Sequence, residues 1–231
     1  MHIPDGFINP PVAIAAGAIA VVGVAVCVRG ARRQLDERSA PLAGLTAAFI
    51  FAVQMLNFPV AAGTSGHLLG GALAAILIGP YAGALAVTTV LVVQALLFAD
   101  GGLTALGLNI INMAFVTAVV GWLVFRGSTR IGGPSRISVG VAALLAGLIS
   151  VPVSASAFVV EYALGGAGTA PVGTVTIAMV GVHVLIGIGE AVITSLTVVA
   201  VSATRPDLVF GMRDRLRKPV LATVDAVRTG R

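Results

Sequence analysis

Residues 9–38 read NPPVAIAAGAIAVVGVAVCVRGARRQLDER. No charge occurs from Asn9 to Val28, and then Arg29, Arg32, Arg33 and Arg38 follow within ten residues. A helix of about 20 residues rises about 30 Å, the thickness of the hydrocarbon core of a bilayer. Basic residues collect at the cytoplasmic end of such a span. This stretch therefore reads as one membrane crossing that ends in the cytoplasm, and the fold depends on whether the chain repeats it.

The composition says that it does. Of 231 residues, 58% are hydrophobic and 10% charged, with a mean hydropathy of +1.05. A soluble domain carries roughly 25% charged residues, so a water-facing surface cannot be built from this chain. Apolar runs separated by turn residues and charges place seven spans near 9–28, 41–58, 68–79, 81–98, 103–125, 138–161 and 174–203. The expected fold is an all-α polytopic membrane protein of about seven transmembrane helices. The third run is short and ends at Gly79-Pro80, where proline breaks a helix. It either spans a thinned region or lies half buried in protein. Gly66…Gly70 and Gly79…Gly83 have the GxxxG spacing that lets helix backbones approach closely.

The net charge of +5 does not point to nucleic acid, because the basic residues sit in three groups: Arg29–Arg38, Arg126–Arg136 and from Arg205 onward. With the amino terminus outside and seven crossings, every group lands in the cytoplasm. The chain then divides into an external amino-terminal strand (1–8), a transmembrane bundle (9–203) and a basic cytoplasmic tail (204–231). In the tail, Leu208, Met212 and Leu216 recur among arginines, the pattern of a short amphipathic helix on the membrane surface. A partly ordered solubilising tail fits the same composition. The single cysteine, Cys27, excludes an internal disulfide and lacks the small preceding residue of a lipoprotein cleavage site. It reads as a small apolar side chain facing lipid or a neighbouring helix.

The chain begins MHIPDGF. No basic segment leads the first apolar run, unlike a signal peptide. Methionine removal requires a small second residue, so a free amine on Met1 followed by His2 is expected outside the membrane. An amine one residue before a histidine is a chelator. The amine, the His2 amide and the His2 imidazole close fused rings around one ion, and planar nitrogen coordination suits nickel(II) or copper(II). His67 is the other histidine on the external side, and a turn at Pro4-Asp5-Gly6 folds the terminus back toward it. Met1, His2 and His67 then offer four nitrogens, although an isolated His2 is also often incidental.

Two other chemistries compete. GTSG at 63–66 has the form of an intramembrane serine protease, with Ser65 as nucleophile and His183 as base. The ordinary role of these residues is a turn that caps the third span. His183 and Glu190 lie two helical turns apart on one face of the last span, as a proton relay in a proton-coupled secondary transporter would need. A structural polar contact fits the same spacing. Gln54, Gln94, Asn109 and Asn112 read as interhelical hydrogen bonds. Neither an HExxH motif nor a phosphate-binding loop occurs, so any ATP used in transport is bound by another subunit.

Four blocks in order carry a resemblance: MHIPDGF at 1–7, QMLNFPVAAGTSGHLLGGALAAILIGP at 54–80, QALLFADGGLTALGLNIINMA at 94–114 and HVLIGIGEAVIT at 183–194. Together they resemble the CbiM/NikM family, the substrate-specific (S) components of energy-coupling factor (ECF) transporters for cobalt and nickel. The resemblance runs from residue 1 to about 203. It implies the six-helix core of other S components plus an extra amino-terminal helix. It also implies planar binding of Co2+ or Ni2+ by the Met1 amine, the His2 amide and imidazole, and the His67 imidazole. The implied partners are a coupling membrane subunit (the T component), two ATP-binding cassette subunits and a small accessory membrane subunit, in the cell membrane of a bacterium or archaeon. The chain itself would be no enzyme and would hold the metal as cargo, with no other cofactor. Some members carry SHPTG where this chain has GHLLG at 66–70, so the surroundings of His67 are not carried over. Others carry a fused accessory domain that the short basic tail does not provide.

Overall fold

A computed structural model describes residues 1–34, 40–59, 65–133 and 135–213. These residues form seven helices: α1 (Pro10–Gln34), α2 (Ala40–Gln54), α3 (Gly71–Ile78), α4 (Pro80–Leu97), α5 (Leu106–Gly132), α6 (Arg136–Gly165) and α7 (Val172–Thr204). Five of them (α1, α4, α5, α6 and α7) are long and apolar enough to cross a bilayer, and α2 is apolar but shorter. The all-α membrane fold expected from composition is therefore the fold observed. Its only strands among the described residues are a two-residue antiparallel pair, β1 (Phe58–Pro59) and β2 (Ser65–Gly66), just before His67.

The short third helix resolves in favour of burial within protein: all eight of its residues are buried. It lies against α4, α5 and α6 and forms the axis of the bundle. Pro80 ends it and begins α4, where a missing N–H costs nothing in the first turn. The α3–α4 approach is close enough that a Cβ at Gly83 would stand 2.7 Å from the Ala75 nitrogen, so the glycine is required by contact between backbones.

The fifth span is irregular. One α-turn, Leu106–Asn109, passes into a π-helical stretch, Ile110–Val116, before regular α-helix resumes at Thr117. Single π turns inside α-helices concentrate at functional sites, and this one begins next to Asn109, which contacts the amino terminus.

Cys27 is buried beside Ala75, Ala84 and Ala118, the neighbour-facing alternative. After α7, the described residues form two 3₁₀ turns, Pro206–Leu208 and Phe210–Met212, in place of a continuous amphipathic helix. Val209 is fully buried and Phe210 packs on Trp122, with ring centroids 5.4 Å apart. Val209 and Met212 pack into the apolar cluster shared by α3 and the end of α5. Leu216 lies outside the described residues.

Candidate metal centre

The first eight residues enter the bundle as an extended plug. Met1 is 1% exposed, His2 4% and Ile3 0%. Several residues of this segment have partners that fix them. The Ile3 N–H donates to Asn109 Oδ1 at 2.8 Å, and the Asn109 amide donates back to the Ile3 carbonyl at 3.3 Å. The Gly102 N–H donates to the same carbonyl at 2.8 Å. The Asp5 carboxylate accepts from the Thr104 N–H at 2.8 Å and from its hydroxyl at 2.5 Å, and these bonds hold its pKa below the usual carboxylate value. Gly6, at φ 76°, completes the turn expected at Pro4-Asp5-Gly6. Beyond it, Phe7 packs against Phe158 and Tyr162, and its carbonyl accepts from the Ala167 N–H at 3.0 Å. Gly101 and Gly102 leave the room this plug needs. A Cβ on Gly101 would lie 2.9 Å from the His2 ring, and one on Gly102 would lie 2.7 Å from the Pro4 carbonyl carbon.

His67 arrives from the opposite side, on the segment between β2 and α3. Two buried side chains seat that segment. Gln54 on α2 donates to the Leu69 carbonyl at 2.7 Å. Glu190 on α7 accepts from the Leu69 and Gly70 N–H groups at 2.8 and 2.7 Å. His67 itself is fully buried.

The two rings meet at a tilt of 33°. His67 Nε2 and His2 Nδ1 are 3.0 Å apart, with ring centroids at 4.6 Å. His67 Nδ1 is 2.7 Å from the Leu68 carbonyl, which fixes the proton on that nitrogen and leaves Nε2 as a lone pair. His2 Nε2 lies 3.2 Å from Gln94 Oε1, and its Nδ1 faces both His67 Nε2 and Asp100 Oδ1, the latter at 3.1 Å. Burial pulls the Met1 amine from near 8 down to about 4, against the opposing pull of the Asp100 charge. Burial and the neighbouring amino terminus lower His2 to about 4, and burial takes His67 well below its ordinary value. At neutral pH the amine and both imidazoles are therefore unprotonated donors.

Among the described residues no group of three His, Cys, Asp and Glu side chains is arranged to hold a metal ion. Two donors of the nitrogen cluster, the Met1 amine and the His2 amide, are backbone groups. Metal-nitrogen bonds of about 2.0 Å at right angles separate adjacent ligands by about 2.8 Å. The 3.0 Å between His2 Nδ1 and His67 Nε2 is close to that spacing.

Of the other sequence candidates, His183 stands within electrostatic reach of His67 and the Met1 amine. His183 Nδ1 bonds the Met179 carbonyl in its own helix at 2.7 Å, and its Nε2 has no partner. Both Glu190 oxygens are taken by the backbone N–H groups of Leu69 and Gly70. No hydrogen bond joins this pair as the proton relay would require. The Ser65 side chain lies outside what the structure describes. Gln54 and Asn112 make contacts of the expected structural kind, Asn112 donating to Glu161 on α6 at 2.6 Å. Gln94 and Asn109, read as interhelical contacts, serve the amino-terminal plug instead. Asp100, Gly101, Gly102 and Thr104 carried no signal of their own, because the strand they hold is distant in sequence.

Fold and interior together define an integral membrane protein with a buried cluster of nitrogen donors. The chain belongs to the CbiM family, described as "Cobalt uptake substrate-specific transmembrane region", which it matches over residues 2–208. It is thus a transmembrane component of cobalt/nickel uptake. A Haloquadratum walsbyi protein named for metal transport is 42% identical over 210 residues, covering 91% of this chain and 94% of that protein. The fused nickel transport protein NikMN of Rhodobacter capsulatus is 40% identical over 151 residues, covering 64% of this chain and 44% of that one. A crystal structure of a transition metal transporter superposes with a TM-score of 0.79 at 30% identity, covering 94% of this chain and all of that one.

Proposed function

We propose that the chain is the substrate-binding S component of an ECF-type importer, capturing Co2+ or Ni2+ on the outer side through the Met1 amine, the His2 amide and imidazole, and the His67 imidazole. The observation that carries this is the 3.0 Å approach of His2 Nδ1 to His67 Nε2 in a pocket that also buries the Met1 amine. The His2 amide loses its proton to solvent as the ion binds, which only a strongly Lewis-acidic transition metal promotes. Residues 1–8 are the binding strand, 9–203 the bundle and 204–231 the basic cytoplasmic tail. A T component and two ATP-binding cassette subunits drive inward release, with a small accessory membrane subunit beside them. The fused NikMN relative supports the view that a second membrane unit accompanies this one.

Calorimetry with nickel and cobalt salts on protein bearing its native amino terminus tests the site. His67→Ala should weaken binding by roughly 100-fold or more, since it removes one donor of four. One extra residue before Met1 should have a comparable effect by moving the amine. Full-strength binding by either variant would sink the four-nitrogen assignment.

A further inference from the structure

We propose that Asp100 is the entry ligand of the nitrogen site and its countercharge once an ion is bound; this rests on the four-nitrogen reading above. Asp100 Oδ1 lies 3.1 Å from His2 Nδ1, the nitrogen that also faces His67. The contact sets a carboxylate oxygen beside the two imidazole nitrogens that face each other, three donor atoms gathered where a cation would sit.

Charge balance points the same way. A divalent ion bound by a neutral amine, two neutral imidazoles and one deprotonated amide leaves a complex of formal charge +1. Burying a net charge in a low-dielectric interior is costly unless an opposite charge lies close. Among the groups touching His2 and His67, Asp100 is the one that supplies a carboxylate.

Position gives it the entry role. The Asp100 side chain is 19% exposed, whereas that of His2 is 3% exposed. Its second oxygen accepts from the exposed Asn57 amide at 2.8 Å, which aims the first oxygen inward. The turn that presents it is constrained on both sides. Ala99 takes φ 51°, a rare value for a residue with a side chain. The Asp100 N–H donates to the Gln94 carbonyl at 3.1 Å. Carboxylates bind hydrated divalent ions readily while water remains on them. An ion held at Asp100 is one short step from His2 Nδ1, where it exchanges water for nitrogen.

The test uses the purified chain with its native amino terminus and aqueous nickel(II) chloride, followed by calorimetry and by stopped-flow visible absorption. Asp100→Asn should bind at least tenfold more weakly and associate more slowly, with a flatter dependence of the rate on ionic strength. The visible band of bound nickel should not move, because the four nitrogens remain. Asp100→Glu should recover much of the rate. Wild-type affinity and rate in Asp100→Asn would overturn the proposal. So would a shifted band with no rescue by Asp100→Glu, which would make the residue a mere prop for His2. If Asp100→Asn does not fold, the wild-type rate decides: it must fall with added salt, and a flat response rejects the carboxylate as the entry point. If wild-type protein itself gives no four-nitrogen band, it is the metal site assignment that fails.

Discussion

At the scale of the residue, burial has prepared the donors before any ion arrives. The Met1 amine and His2 both titrate near pH 4 in the folded chain, against about 8 and 6.5 for free groups. The folded state therefore binds fewer protons than a released strand between these values. Insertion of the plug is fully favoured above pH 8 and weakens as pH falls toward 4, through the amine below 8 and through His2 as well below 6.5, by up to about tenfold per pH unit for each group. Metal binding at pH 7 should release about one proton, that of the His2 amide, because amine and imidazoles have none to give. Calorimetry in buffers of different ionisation enthalpy measures this number. A release near two would show that the amine is still protonated in the empty pocket. The chelating start of the chain was legible in Met1 and His2 themselves. The loss of the amine's proton was not, since it depends on segments far along the chain burying the amino terminus.

At the scale of the element, the site is a junction between a strand, a short loop and two helices. Glu190 on α7 and Gln54 on α2 seat the His67 segment by hydrogen bonds to backbone groups two and three residues beyond the histidine. Glu190→Gln removes an acceptor and sets an amide donor against a backbone N–H. Leaving one buried N–H unsatisfied costs about 1–3 kcal/mol. Thermal unfolding followed by circular dichroism should register that loss, and nickel affinity should fall with it as His67 loosens. An unchanged melting temperature would mean that water replaces the carboxylate. The spacing of His183 and Glu190 on one helix face had suggested a relay. Spacing alone does not show what stands opposite, and the α3 amino-terminal segment claims the carboxylate first. The tail shows the same limit: apolar residues at helical spacing were legible, but the surface that Trp122 and Phe125 offer them was not.

At the scale of the whole molecule, the two ends of the bundle differ in chemistry. α1 begins beside the plug and runs about 37 Å at 1.5 Å per residue to a last turn bearing Arg32 and Arg33. The ends of α5 and α7 carry Arg126, Arg130 and Arg205. The nitrogen cluster lies at the end of the bundle opposite these arginines, so the proposed importer places it on the outer side. In the proposed importer the chain binds metal alone but accumulates it only with its partners. Vesicles holding this chain with a T component and two ATP-binding subunits should take up radiolabelled nickel when ATP is supplied on the cytoplasmic side. Vesicles holding the chain alone should not. Accumulation by the chain alone, driven by a proton gradient, would favour a secondary transporter instead.

The amino-acid sequence by itself determined the helical membrane fold, its seven helices and the residue chemistry of the amino terminus. These follow from local composition: apolar runs of membrane length, arginines at their ends, an amine next to a histidine. Tertiary structure decided the rest. Only packing brings His2 within 3.0 Å of His67 across 65 residues, and only packing brings Asp100 to the same nitrogen. The short third run became a fully buried axis because neighbouring helices enclose it. Desolvation is likewise a property of the enclosure, and it is what turns an ordinary chain start into a set of unprotonated donors.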